Sequence, residues 1–107
     1  MRPIALFGHR DCGEAKIEIM FSKGFKPLKH IVRHSPTGME WGYGGSGPAD
    51  TALSILTYAL RSQKKAEPCY MDFKWDCVAK WSAREFHISL WEIREWYKEW
   101  VSRTTPR

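Results

Sequence analysis

Apolar positions change their spacing once along the chain, near residue 42. The change divides the chain into a strand-forming front and a helix-forming back. Residues 4–7 (Ile4, Ala5, Leu6, Phe7) are a short apolar run read as a strand, followed by a polar turn over residues 8–13. In residues 15–21, Ile17, Ile19 and Phe21 alternate with Lys16, Glu18 and Met20, the two-residue period of a half-buried strand. Ser22-Lys23-Gly24 is a hairpin-type break. Residues 25–33 read as another strand, and Pro27, with no N–H to give a neighbour, assigns it to an edge. Pro36 and Gly38 make residues 35–38 a turn, and residues 39–41 a brief strand.

From residue 48 the apolar spacing becomes three and four. Ala49, Ala52, Leu53, Leu56, Ala59 and Leu60 share one face of a helix predicted over residues 48–61. Residues 62–67 read as a charged link. A second helix, opened by Pro68 and running over residues 69–80, carries Tyr70, Phe73, Cys77 and Trp81 in one row. Met71, Trp75 and Val78 make a second row, so this helix is expected to be covered on two sides. Residues 85–88 read as extended. Ser89-Leu90-Trp91-Glu92 is a capping-box pattern opening a third helix, with Leu90, Ile93, Trp96, Tyr97, Trp100 and Val101 on one face and Glu99 placed to pair with Arg103. The expected fold is α+β in a single domain of residues 1–107. A small antiparallel sheet from the N-terminal half (1–41) leads through a glycine-rich loop to three helices packed on the sheet (48–101) and a tail (102–107).

Composition narrows the class. With 43% apolar residues and 14% aromatics the chain is a folded globule rather than a disordered one. No apolar run reaches the ~20 residues of a membrane span, and the first seven residues are too short for a secretory core. A cytoplasmic location is expected: the bacterial cytoplasm, or that of the host cell for a phage-encoded chain. Three cysteines without a C-x-x-C pair suit a reducing compartment. On one helix Cys69 and Cys77 would stand ~12 Å apart, too far to bridge.

Between the two halves lies the one stretch that suggests a site. Gly42, Gly44, Gly45 and Gly47 fill four of the six positions in residues 42–47, ahead of Pro48. Ser46 or Gly47 is the expected N-cap, and Asp50 an acid in the first helical turn. A glycine loop feeding a helix start offers unpaired N–H groups and partial positive charge, which suits an anion. The charge distribution agrees: residues 1–39 carry seven Lys/Arg against three Asp/Glu, and no acid lies between Glu18 and Glu40. The expected ligand-binding set is Arg33, His34, Trp41, Gly42, Tyr43, Gly44, Gly45, Ser46, Gly47 and Asp50. The plainer alternative is a tight connection with packing glycines. The spacing Gly42-x-Gly44-x-x-Gly47 matches a dinucleotide fingerprint, but a βαβ unit with a closing acid is missing, and no Lys-Ser or Lys-Thr follows for a P-loop.

Other chemistry is sparse. His9, Cys12, His30 and His34 have finger-like spacing, but a second cysteine is lacking from the first pair, and no metal or cofactor is expected. Glu40, His34 and Asp50 border the loop and could exchange protons if brought together, yet turn and helix capping is their simpler role. There is no G-x-S-x-G, no H-E-x-x-H and no cysteine–histidine catalytic signature, so the balance is against an enzyme. Of the six tryptophans, Trp75 and Trp91 fall off the main core stripes and are candidate partner contacts.

The stretch His34-Ser35-Pro36-Thr37-Gly38, then Glu40 through Ala49, then Ala52-Leu53-x-Ile55-Leu56, resembles the signature of a small uncharacterised family, a domain of unknown function found in bacteria, archaea and phages. Tyr70-x-Asp72-Phe73-Lys74-Trp75-Asp76, Ile93 and Trp96 resemble it too, so the likeness spans about 34–100. Asp50 stands where the family has a neutral residue. The resemblance implies an origin in prokaryotes or their mobile elements and no activity. The expected function is a non-enzymatic binder of a phosphorylated small molecule or nucleotide, in one form a trap for defence signals. The alternative is a protein-interaction module inhibiting a host defence complex that handles nucleic acid. A homodimer is a further expectation.

Overall fold

A computed structural model describes residues 2–106. Its order is β1 (Pro3–Asp11), β2 (Glu14–Phe21), β3 (Gly24–Pro27), α1 (Ser46–Leu60), α2 (Gln63–Ala66), α3 (Tyr70–Asp76), a 3-10 turn (Val78–Lys80), β4 (Phe86–Ser89) and α4 (Leu90–Thr104). The four strands form one antiparallel sheet in the order β3-β2-β1-β4, and the helices pack on it, an α+β fold as expected.

β1 runs four residues beyond its apolar start. The expected turn over residues 8–13 shrinks to Cys12 and Gly13, whose φ angles of 52° and 84° put both in the left-handed region. Two such residues match the twist of the strands they join. His9 and Arg10 stay in the strand because partners take their polar ends: His9 Nε2 donates to Glu18 (2.7 Å) and Arg10 Nη1 to Glu40 (3.1 Å). β3 is shorter than predicted and lies at the edge, where Pro27 ends it. The Leu28 N–H still reaches Ile17 O at 2.9 Å, and from there the chain leaves the sheet. Residues 39–41 form no strand.

α1 is the centre of the molecule. The periodicity implies one apolar face, yet nearly its whole circumference is buried between residues 47 and 56. Ala52, Leu53, Ile55 and Leu56 face the core with Leu6, Ile17, Ile19 and Ile88 of the sheet. The other side carries Asp50, Thr51 and Ser54, also buried. Those three side chains hold residues 30–40, which have no helix or strand to satisfy their backbone. Ser54 Oγ accepts from Ile31 N (2.9 Å), and Thr51 Oγ1 donates to Glu40 O (2.6 Å). Asp50 accepts from the amides of Arg33, His34 and Ser35 and from His30 Nε2. The helix that looked amphipathic is therefore a two-sided core element, with a polar rack for an irregular arm.

The predicted second helix is broken. Ser62 caps the single turn α2 by accepting from Lys65 N (3.1 Å), where a link was expected, and α3 stops at Asp76 before the 3-10 turn. Only one side of α3 is covered: Phe73 is in the core, whereas Met71 and Trp75 are exposed. α4 opens with the expected capping box, Glu92 N to Ser89 Oγ (3.0 Å) and Ser89 N to Glu92 Oε1 (3.2 Å). It buries Leu90 and Ile93 and continues to Thr104, so the first half of the expected tail is helix; Arg107, like Met1, lies outside the described residues. Arg103 pairs with Asp76 (3.7 Å) rather than with Glu99.

Candidate functional site

The glycine loop joins the irregular arm to α1, and each glycine has its own reason. Gly42 has φ +91°, its N–H donates to Val78 O (3.0 Å), and a Cβ there would stand 3.0 Å from the Ala83 Cα. The Trp75 ring lies on Gly44 and the Tyr43 ring on Gly45, where a side chain would displace them. A Cβ on Gly47 would meet the Glu40 side chain at 2.8 Å. The N-cap is Gly45 rather than Ser46 or Gly47, which sets Pro48 third in the helix and Asp50 beyond its first turn.

Hydrogen bonding separates this loop from the rest of the arm. Ala49 N donates to Gly45 O (3.1 Å). Among the described residues, the N–H groups of Tyr43, Gly44, Gly45, Ser46 and Gly47 reach no acceptor. These are the orphan donors of a helix start, with those of the loop before it. Ser46 and Gly47 border a cleft of about 340 Å³ whose walls include Thr37, Glu40, Tyr43 and, from the start of β2, Glu14. Arg10 offsets the charge of Glu40 (2.9 Å between Nη2 and Oε1) and lies over the Trp41 ring at 4.5 Å.

The expected ligand set divides here. Tyr43, Gly44, Gly45 and Ser46 stay together at the loop surface, with Gly47 buried beside them. Trp41 is fully buried, packs edge-on to Phe86 and donates from Nε1 to Ser82 O (3.0 Å). Gly42 has spent its N–H. Asp50 is buried behind the loop with its oxygens occupied by the arm. Burial pushes its carboxyl up, but the His30 ring and the amides of residues 33–35 outweigh that and hold it below the usual carboxylate range. Arg33 pairs with Glu67, which raises the guanidinium and lowers the carboxyl, and His34 Nε2 shares a hydrogen bond with the Tyr70 hydroxyl (2.8 Å). Neither basic side chain lines the cleft. They follow the arm to the α2–α3 side because Asp50 grips the backbone between them.

Lys74 is the residue that sequence pattern did not single out. Its side chain is only 6% exposed and makes no hydrogen bond or ion pair among the described residues; Nζ stands 4.1 Å from the centre of the Trp75 ring that covers Gly44. A lone lysine within an apolar row was the available signal. Trp75 and Trp91 are exposed, at 55% and 69%, as their off-stripe positions suggest.

His9, His30 and His34 each have a separate partner and Cys12 is an exposed turn residue. Among the described residues no three His, Cys, Asp or Glu side chains converge on a metal position. The side chains of Glu40, His34 and Asp50 are likewise bonded to separate partners: Arg10, Tyr70 and the arm. No helix of the described residues is long and apolar enough to cross a membrane.

Residues 7–99 match the model of a family of unknown function, DUF6166, so the likeness begins well before residue 34 and includes the sheet. No curated protein and no solved structure matches the chain.

Proposed function

We propose, on the premise that the chain belongs to DUF6166 and takes no described activity from it, that the protein is a non-enzymatic binder of a phosphorylated small molecule of the nucleotide class. One observation carries this: five consecutive amides leading into the start of α1 have no acceptor among the described residues, and three of those residues, Tyr43, Ser46 and Gly47, border a cleft. Such amides, at the positive end of a helix, suit a phosphoryl group. The cleft of about 340 Å³ lies at the small end of ligand pockets, which run from roughly 300 to 1,000 Å³. Glu14 and Glu40 are acceptors suited to sugar hydroxyls, and Tyr43 offers a ring face to a base. Lys74, with no ion-pair partner among the described residues, adds a cation over the Trp75 ring that covers Gly44. In a prokaryotic or phage setting this reading makes the protein a trap for nucleotide defence signals.

Ser46→Pro tests it cleanly. Ser46 is the first helical residue, where proline is tolerated, and Gly45 already has the extended backbone that precedes proline (φ −113°, ψ −167°). The variant removes an orphan N–H and a hydroxyl from the cleft. In a thermal-shift and calorimetric screen of nucleotides, the wild type is expected to gain stability with at least one and Ser46→Pro to bind it about tenfold more weakly, one lost hydrogen bond to a charged group. Equal binding by both, or no response to any phosphorylated compound, overturns the proposal. A second reading, a protein-interaction module with a purely structural loop, is favoured by the rings seated on Gly44 and Gly45, which explain those glycines without a ligand.

A further inference from the structure

Away from the α1 cleft, the face shared by α3 and α4 has a charge opposite to that of the chain. Two indole–carboxylate bonds bridge the helices: Trp96 Nε1 donates to Asp76 (2.9 Å) and Trp100 Nε1 to Asp72 (2.8 Å). Beside the bridge runs a groove of about 530 Å³ with Ile88, Trp91 and Trp96 as its apolar surface. Asp76, Glu92, Glu95 and Glu99 line the same groove, and it adjoins a second hollow of about 240 Å³ that adds Asp72. Among the described residues Arg103 is the single cation lining either one. The chain as a whole carries a net charge of +5.

Three features define what would fit. Glu92, Glu95 and Glu99 recur at three and four residues along α4, presenting acceptors once per helical turn. Glu99 has no partner among the described residues, and Glu95 has only the exposed Lys98 at 3.4 Å. Trp91 is 69% exposed at the head of the groove, with its ring free to be covered. An acid-lined wall ending in an open indole complements guanidinium groups, which bond carboxylates in pairs and stack on aromatic faces. The same acids repel a nucleic-acid backbone.

We infer that this groove docks a cationic segment of another protein, with arginines or lysines at one-turn spacing beside an apolar residue that covers Trp91. The test uses the full chain and fluorescein-labelled synthetic peptides bearing three arginines around a central leucine, at several spacings, with lysine and glutamate counterparts. Anisotropy is expected to show binding of the arginine peptides that weakens steeply with salt. Trp91→Ala, and separately Glu95→Gln with Glu99→Gln, should each weaken it about tenfold or more. The unfolding midpoint should hold, since these side chains are exposed, and Ser46→Pro should bind the peptides as the wild type does, which separates this groove from the α1 cleft. Binding that ignores Trp91 is simple ion exchange and overturns the inference, as does failure of every peptide in the set. Concentration-dependent self-association lost in Trp91→Ala would give the groove to a second copy and overturn it equally.

Discussion

Asp50→Asn is the sharpest perturbation of the packing described above. The carboxylate is fully buried; Oδ2 accepts from His30 Nε2 (2.8 Å), Arg33 N (3.2 Å) and Ser35 N (3.0 Å), and Oδ1 from His34 N (2.9 Å). Asparagine has nearly the same shape but only one acceptor, and its NH2 would face at least one amide that has no other partner. A buried donor left unpaired costs about 1–3 kcal/mol, and the bonds that survive lose the strengthening a charged acceptor gives them. Together these imply a loss of about 3–5 kcal/mol from a domain whose whole stability is about 5–15 kcal/mol. Urea unfolding followed by tryptophan fluorescence measures it. The pH dependence gives a second reading of the same side chain. Because Asp50 ionises more readily in the folded chain than in the unfolded one, its contribution is complete above the ordinary carboxylate value of about 4. That contribution drains away as pH falls through the lower folded value. The gap between wild type and Asp50→Asn should therefore narrow on acidification below pH ~4. A difference under about 1 kcal/mol at neutral pH, or a gap that widens in acid, would refute the role assigned to Asp50.

Other expectations are simpler. Gly42→Ala should cost about 2 kcal/mol or more, because φ is +91° and the new methyl meets Ala83 backbone, while Gly45→Ala displaces only the exposed Tyr43 ring and should cost under about 1 kcal/mol by denaturant titration. Burial pushes the thiols of Cys69 and Cys77 up to about 11, so at pH 8 a thiol reagent should react quickly with the exposed Cys12 alone, one equivalent per chain; three fast equivalents would contradict the packing. Ser89→Ala should destabilise by about 1 kcal/mol through loss of the α4 cap, read as a lowered urea midpoint with unchanged slope.

Much of the scaffold could be read from residue patterns. The alternation of Ile17 and Ile19, the edge position of Pro27 and the Ser89–Glu92 box depend on neighbours close in sequence, and each appears where that local chemistry requires. The misreadings share another cause. Asp50 looks like a first-turn acid, and only the passage of residues 30–35 along the polar side of α1 makes it an internal acceptor. Arg33 and His34 look like neighbours of the loop because they precede it by few residues, yet the arm turns their side chains toward Glu67 and Tyr70. Of the candidate site, the orphan amides were legible because glycine and a helix start are local features. Lys74 was marked only by its place in an apolar row, and its burial under the tertiary packing of α3 is not a local feature.

The polar side of α1 also dictates how the molecule breathes. Amide protons of Ile31, Arg33, His34 and Ser35 sit in a stretch without regular structure, where fast deuterium uptake is the usual behaviour. Here their acceptors are side chains of the central helix, so they can be freed only when that helix comes loose. The slowest-exchanging coil of the chain should therefore be its most irregular arm, while β3, a regular but uncovered edge, trades its protons first.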